Sequence, residues 1–544
     1  MRFRDEEPAH KLRGGYYTDP DITSFLTQWV LENKPRTILE PSCGDGRFLE
    51  AVQQSTDGGR IERIQAFEIV AEEAAKARKV GRKLRPTKVV VTTGDYLEFA
   101  IDQMHSPPMF DAVIGNPPFI RYQYLAKPSQ DLAQRLFAEL GLRFTKHTNA
   151  WVPFVLAALS QLRPGGRLAM VVPAELLHVL HAQSLREYLL QQCSRVLLVD
   201  PVDLWFEKTL QGVMLLLAEK KPQTDTESGR IAVVPVRDRS SLVTTTAGTL
   251  FQESPFTSGE SCNGKWTLAL LPSDEQRLFR RVIQNDGIFR FSEIASVDVG
   301  IVTGANKFFL VSDDIVERYE LHPWAHPMFG RSEHVNGVVY DMASHQENRR
   351  RGLPANFVWF GDEPMESLPA KVRKYIRIGE SQRLHERYKC RIRSPWYAVP
   401  SVYATQVGML KRSHHFPRLI LNRAKALTTD TAYRIRPKGV AARDLVVAFV
   451  NSLTALSAEL EGRHYGGGVL ELVPSEIEKL VIPTGTPTPR CLDELNRLVR
   501  TGASADQIME EQDEQILRPL GISKQACSSL RQAWLRLRNR RQRN

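Results

Sequence analysis

The stretch AVIGNPPFIRYQY (residues 112–124) ends an apolar run with an amide, two prolines and an aromatic ring: Asn116, Pro117, Pro118 and Phe119. Two prolines remove two backbone donors and fix two φ angles. That is a demanding way to build an ordinary turn. It leaves carbonyl acceptors held rigidly beside a side-chain amide and a flat ring. The plainer reading, a strand-ending Pro-Pro turn with a core phenylalanine, asks nothing of Asn116.

Such a corner needs a rigid frame. The first 220 residues alternate strand-like and helical runs. RTILEPSCGDGRFLEAVQQS reads as strand, glycine turn and helix, and RIQAFEIVAEEAAKARKVGRKL as strand, acidic end and helix. KVVVTTGDYLEF and FDAVIGNPPF read as two more strands with their turns. NAWVPFVLAALSQL is helical, while PGGRLAMVVPAELL, RVLLVDPVDLWF and GVMLLLAEKK are strands. Alternating βα units predict an α/β fold with a mostly parallel sheet and helices on both faces. Right-handed crossovers then bring the turns after the strands to one edge, where ligands bind.

Three acids fall at predicted strand ends. Glu40 ends the first strand and leads through Pro41 into the turn of Gly44 and Gly46, whose glycines permit close backbone approach to a ligand. The spacing is neither G-x-G-x-x-G nor a P-loop. Glu68 ends the second strand, where a carboxylate accepts both hydroxyl protons of a ribose. Asp95 ends the third, beside Tyr96 and Leu97, where it would accept from an adenine amine. Any one acid alone is more simply a cap or a solvated turn. Three in series point to a nucleoside pocket. With no phosphate-binding lysine or metal cluster nearby, a nucleoside with an amino-acid tail fits, S-adenosylmethionine above all. Glu40 or neighbouring carbonyls would hold its ammonium.

GNPPF resembles the [DNS]-P-P-[YFW] motif of amino-group N-methyltransferases, and ILEPSCGDGRF looks like their first cofactor motif. GGYYTDPDITSFL, ahead of the first strand, resembles the motif that covers the methionine part of the cofactor, with its proline displaced by one residue (Thr18-Asp19-Pro20). This order is that of gamma-class DNA adenine-N6 methyltransferases of the type II restriction–modification kind. The resemblance covers residues 13–220 in detail. It implies a Rossmann-like S-adenosylmethionine methyltransferase domain followed by a mixed α+β target-recognition domain. It implies a cofactor site of Tyr17, Thr18, Glu40, Pro41, Ser42, Gly44, Asp45, Gly46, Glu68, Ile69, Asp95, Tyr96 and Asn116. It also implies that the Asn116 side-chain oxygen and the Pro117 carbonyl accept the two N–H bonds of a target amine, with Pro118 stiffening the corner. An adenine rotated out of its duplex would stack on Phe119 and on Phe206, with Trp205 a competing candidate for the second ring. No metal is expected.

The formal net charge is +11 and the pI about 9.3, which suits a polyanionic partner but equally an ordinary basic protein. Hydrophobic residues make up 42% and no apolar run approaches a membrane span. The six cysteines are scattered without a CxxC pair, which fits a reducing cytosol. A cytoplasmic monomer acting on double-stranded DNA is expected, with a cognate endonuclease that shares its sites without having to bind it. Because the motifs begin near residue 13, a separate methyltransferase is expected, not one fused to a cleavage domain.

KPQTDTESGR reads as a linker. The expected division is therefore a catalytic domain over 1–222, a target-recognition domain over 223–485 and a basic helical segment over 486–544. In the second region Arg391, Arg393, Lys411, Arg412, Arg423 and Lys425 lie among aromatics and turns, where such side chains bind phosphates or read guanine edges. The arginines Arg531, Arg536, Arg538, Arg540, Arg541 and Arg543 would either grip DNA or belong to an exposed helix. Three other functions use related features: protein-glutamine methylation, cytosine-N4 methylation, and an inactive DNA-specificity subunit.

Overall fold

A computed structural model describes residues 18–55, 61–146, 148–202, 212–262, 264–465, 467–484 and 489–542. The chain forms two compact units, divided between Ser273 and Asp274.

The first unit is an α/β sandwich. Its helices are α1 (Pro20–Leu31), α2 (Arg47–Gln54), α3 (Ala71–Gly81), α4 (Tyr96–Asp102), α5 (Lys127–Glu139), α6 (Trp151–Gln161) and α7 (Gln183–Gln192), followed by two shorter helices. The strands are β1 (Thr37–Glu40), β2 (Arg63–Glu68), β3 (Lys88–Thr93), β4 (Phe110–Gly115), β5 (Leu162–Pro173), β6 (Cys193–Pro201), β7 (Val213–Lys220), β8 (Arg230–Val236) and β9 (Thr257–Ser258). They lie in the order β3-β2-β1-β4-β5-β7-β6-β8-β9. The first five are parallel, β7 runs antiparallel between β5 and β6, and β8 returns parallel to β6.

The apolar runs in the strands are continuous because both faces are covered. Leu39, Val113, Leu168, Met170, Leu198 and Leu216 point to one face, under α4, α5, α6 and α7. Their sequence neighbours Ile38, Ala112, Ile114, Ala169, Leu197 and Leu215 point to the other, under α1, α2 and α3. Period-two alternation thus sorts one hydrophobic string into two cores.

The domain limit expected at residue 222 moves. The polar stretch after β7 is the connection that carries the chain past β6 to β8, anchored by Lys221 N–H to Gln192 O and Gly229 N–H to Leu190 O. The sheet goes on through β8 and β9, and the unit ends at Ser273.

The second unit is mixed α+β. Its main sheet has the strand order Ala295–Val299, Ala432–Pro437, Val407–Leu410, Leu419–Asn422 and Val339–Tyr340, antiparallel except for the last pairing. The described part of the C-terminal segment is not a separate element either. Its helices Pro489–Arg500, Ala505–Ile516 and Lys524–Gln542 bury Leu495, Met509, Leu530, Trp534 and Leu537 within this unit. All six cysteines are buried, and none forms a disulfide among the described residues. No helix among the described residues is long and apolar enough to cross a membrane.

Candidate functional site

Parallel register brings four strand ends to one edge. Glu40 pairs with Ala66, Glu68 with Thr93, and Leu39 with Val113, so the turns after β1, β2, β3 and β4 emerge together. Hydrogen bonds then stitch those turns. Cys43 N–H donates to Phe67 O at 2.8 Å and Gly94 N–H to Glu68 O at 3.0 Å. The Ser42 hydroxyl donates to the Asn116 carbonyl at 2.9 Å, tying the glycine turn to the NPPF corner.

Asn116 follows the last residue of β4 and is held from two sides. Its carbonyl takes the Ser42 proton, and its side-chain Nδ2 donates to Thr18 Oγ1 at 3.1 Å. An amide engaged through its nitrogen has its acceptor end oriented by that bond. Thr18 is itself buried, just ahead of α1, which Asp19 caps and Pro20 starts. Pro117 is buried, and Phe119 is half-buried against both cores of the sheet.

Glu40 is fully buried, and neither carboxylate oxygen has a hydrogen-bond partner among the described residues. Burial, with repulsion from Glu68 and Asp45, raises its pKa well above the ordinary carboxylate value. A buried carboxyl without a partner is costly unless a ligand supplies one. Glu68 is half-buried. It accepts Gly44 N–H at 3.0 Å and Val70 N–H at 2.8 Å. Burial raises its pKa despite those two bonds. Beside it Ile69 is 65% exposed, an apolar side chain open to a flat ligand. Pro41 is buried against Gly115.

The two glycines do different jobs. Gly44 has φ +52°, and a Cβ there would meet nothing within 4 Å, so the turn opens onto free space. Gly46 has φ +100°, and a Cβ would lie 3.0 Å from the Cα of Ala77, so it lets α2 start close against α3. Asp45, between them, pairs with Arg47 at 3.3 Å.

Two expected ligand contacts change character. Asp95 caps α4, accepting Leu97 N–H at 2.9 Å through one oxygen and the Ser129 hydroxyl at 2.6 Å through the other. Ser129, from α5, escaped the sequence reading because nothing in its local sequence marks it. Tyr96 is a core residue: its ring lies 5.4 Å from that of Phe67 and 5.6 Å from that of Phe154, and it is 1% exposed. Its side chain is packed in the core. Tyr17, Trp205 and Phe206 lie outside the described residues.

Residues 6–253 match the family described as N-6 DNA Methylase, and residues 263–517 match the C-terminal domain of the type II methyltransferase M.Eco57I. Residues 6–253 thus carry an N-6 DNA methylase domain. Among similar curated proteins is the type II methyltransferase M.AccI of Acinetobacter calcoaceticus, 21% identical over 89% of this chain and 88% of that protein. Another is M.XamI of Xanthomonas campestris pv. amaranthicola, 21% identical over 87% and 85%. Among solved structures the fold resembles the type IIL restriction-modification enzyme MmeI in complex with DNA, at TM-score 0.51 and 11% identity. That likeness covers 94% of this chain and 71% of MmeI. The DrdV–DNA complex gives TM-score 0.50 at 14% identity, covering 94% of this chain and 58% of DrdV.

In the second unit the six candidate DNA contacts separate. Arg391, Arg423 and Lys425 are exposed. Arg393 is a brace that donates to Thr303 O at 2.8 Å and Val302 O at 2.7 Å. Lys411 and Arg412 both pair with the buried Glu471, at 3.2 and 2.6 Å. The described C-terminal arginines are mostly structural as well. Arg531 pairs with Asp506 and Glu510, Arg536 with Glu275, and Arg538 lies over Trp534. Arg541 forks onto Glu459 at 2.7 and 2.9 Å, with both side chains fully buried. Arg543 lies outside the described residues.

Proposed function

We propose that this methylase transfers a methyl group from S-adenosylmethionine to N6 of an adenine extruded from double-stranded DNA. In this reading it marks host DNA as the modification enzyme of a type II restriction–modification pair. The observation that carries the reading is the Asn116 side chain, held at the end of β4 through its donor nitrogen and set on the edge that also presents the unpartnered Glu40.

The fit of the cofactor rests on groups present in the chain. Glu40 would receive the ammonium of the methionine tail, Glu68 the ribose hydroxyls and Ile69 the adenine face, with Gly44 leaving room between them. When bound, the cofactor supplies an electrophilic methyl on a sulfonium. The chain's part is to prepare the nucleophile. The N6 lone pair of adenine is delocalised into the ring. The side-chain oxygen of Asn116 and the carbonyl of Pro117 accept its two N–H bonds and favour a more tetrahedral nitrogen. Prolines hold those acceptors in place beforehand, which is electrostatic preorganisation. Phe119 offers the base a face, and the extrusion itself costs a few kcal/mol.

The second unit selects the site on DNA. The protein acts as a cytoplasmic monomer, and its cognate endonuclease shares the sequence without having to bind it. The reading is tested by incubating the chain with labelled S-adenosylmethionine and plasmid DNA, then analysing the nucleosides. N6-methyladenine is the expected product. Label confined to cytosine N4, to protein, or absent from every DNA tried would reject it.

A further inference from the structure

From residue 387 to residue 429 the chain carries nine arginines and lysines and no aspartate or glutamate. Within that block Tyr388 and Ile392 are each 64% exposed, and Val302 beside them is 40% exposed. A single exposed apolar side chain is normal on any protein. Several together inside a cationic rim mark a contact surface.

The cluster is built rather than loose. Tyr388 and Ile392 stand four residues apart on one helical turn, hence on one face. Lys389 and Arg391 both lie against the Tyr388 ring, at 5.4 and 5.6 Å from its centroid. Beneath, Arg393 grips the carbonyls of Val302 and Thr303, Arg387 donates to Gly304 O at 3.5 Å, and Cys390 Sγ donates to Thr303 O at 3.8 Å. Gly304 has φ +79°, and a Cβ there would sit 2.7 Å from the Cβ of Lys389. The two segments therefore form one plate with its apolar side chains held outward.

We propose that this plate is a DNA wedge: Tyr388 and Ile392 enter a groove and press on a base step, while Lys389 and Arg391 take the flanking phosphates. The proposal rests on the reading of the chain as a DNA methylase and names the part of it that deforms the substrate. Phosphates alone reward cations and give no reason to expose an isoleucine. Apolar side chains set between phosphate-binding cations are what unstacking a base step requires. Within the plate itself, residues 387–393 carry four cations and no acid, as a surface facing the phosphodiester chain requires.

The test uses the full chain and a duplex fragment that it binds. Two double variants are compared with wild type, Tyr388→Ala with Ile392→Ser, and Lys389→Gln with Arg391→Gln. Fluorescence anisotropy gives affinity over a range of salt, and energy transfer between dyes on the duplex ends gives bending. The apolar variant should bind roughly tenfold more weakly at every salt concentration, with an unchanged salt slope and less bending. The cationic variant should flatten the salt slope by about two. An apolar variant that binds and bends DNA like wild type overturns the wedge. So does a loss that comes with a changed salt slope in that variant, which would mean phosphate contact alone. Melting curves confirm that the variants are folded. Methyl incorporation at saturating DNA is read in parallel. A wild-type chain that binds DNA but incorporates no methyl sinks the methylase reading, while the wedge is still judged on binding and bending.

Discussion

Asn116 and Thr18 are 98 residues apart in sequence and share one hydrogen bond, from the amide Nδ2 to the hydroxyl at 3.1 Å. That bond joins the segment leading into α1 to the corner where the target amine is proposed to bind. It makes Thr18 a positioning residue, acting through the direction of the Asn116 amide.

Thr18→Val keeps the side chain's shape and removes the acceptor. It should lower kcat by tenfold or more, on the order expected for a misdirected preorganised group, with a much smaller change in DNA affinity. Thr18→Ser should recover most of the rate. Single-turnover kinetics together with DNA binding separates the two effects. Equal loss of both would make Thr18 structural.

Glu40 predicts a proton released on cofactor binding. Its pKa is raised well above the ordinary value by burial and by the nearby acids, which favours the protonated form in the free protein. An ammonium set against it favours the carboxylate, and the proton must leave. Calorimetric binding enthalpies at pH 7 should therefore depend on the ionisation enthalpy of the buffer. Glu40→Gln should abolish that dependence and weaken cofactor binding by about tenfold or more. A wild-type enthalpy indifferent to buffer would refute this role.

The buried Glu459–Arg541 fork should be costly to break from one side. Arg541→Ala leaves the buried Glu459 carboxylate with only His464, at 3.5 Å, beside it, which costs about 3–5 kcal/mol. The paired change Glu459→Gln with Arg541→Met removes both charges and should cost much less. Chemical denaturation of both variants and the wild type tests it. Equal stability losses would show that the charge itself is not what matters.

Asp513 sets a pH dependence in the second unit. It accepts the Ser452 N–H at 2.8 Å and the Ser452 hydroxyl at 2.7 Å. Burial pushes its carboxyl up to about 7, against the pull of those two bonds. A carboxyl whose folded pKa exceeds its unfolded value binds its proton more tightly when folded. The stability it lends is present in acid and lost as the pH rises through about 7. Asp513→Asn keeps an acceptor for the Ser452 N–H and cannot ionise. Thermal unfolding followed across that window should show the wild type losing more stability with rising pH than the variant. Parallel curves would contradict the assignment.

The sheet and its edge were legible because the information is local. Strands covered on both faces print as largely apolar runs, and Glu40, Glu68 and Asn116 stand at the ends of such runs, with Gly44 in the turn that follows the first. What sequence concealed is non-local. Nothing near Ser129 marks it as the partner of Asp95, and nothing near Thr18 points to Asn116. Tyr96 sits beside a strand-end acid yet turns inward, because the first turn of α4 rotates it onto Phe67. Arg393, Lys411, Arg412 and Arg541 look like free cations until their distant carbonyls and carboxylates are in place. The stretch near residue 222 misled for a related reason: a surface connection between strands has the same polar composition as a linker between domains.

Arg541 reaches Glu459 from 82 positions further along the chain. The helix Ser452–Glu461 thus draws its guanidinium from the far end of Lys524–Gln542, and a chain cut short of residue 541 would leave the Glu459 carboxylate with only His464 for a cationic neighbour.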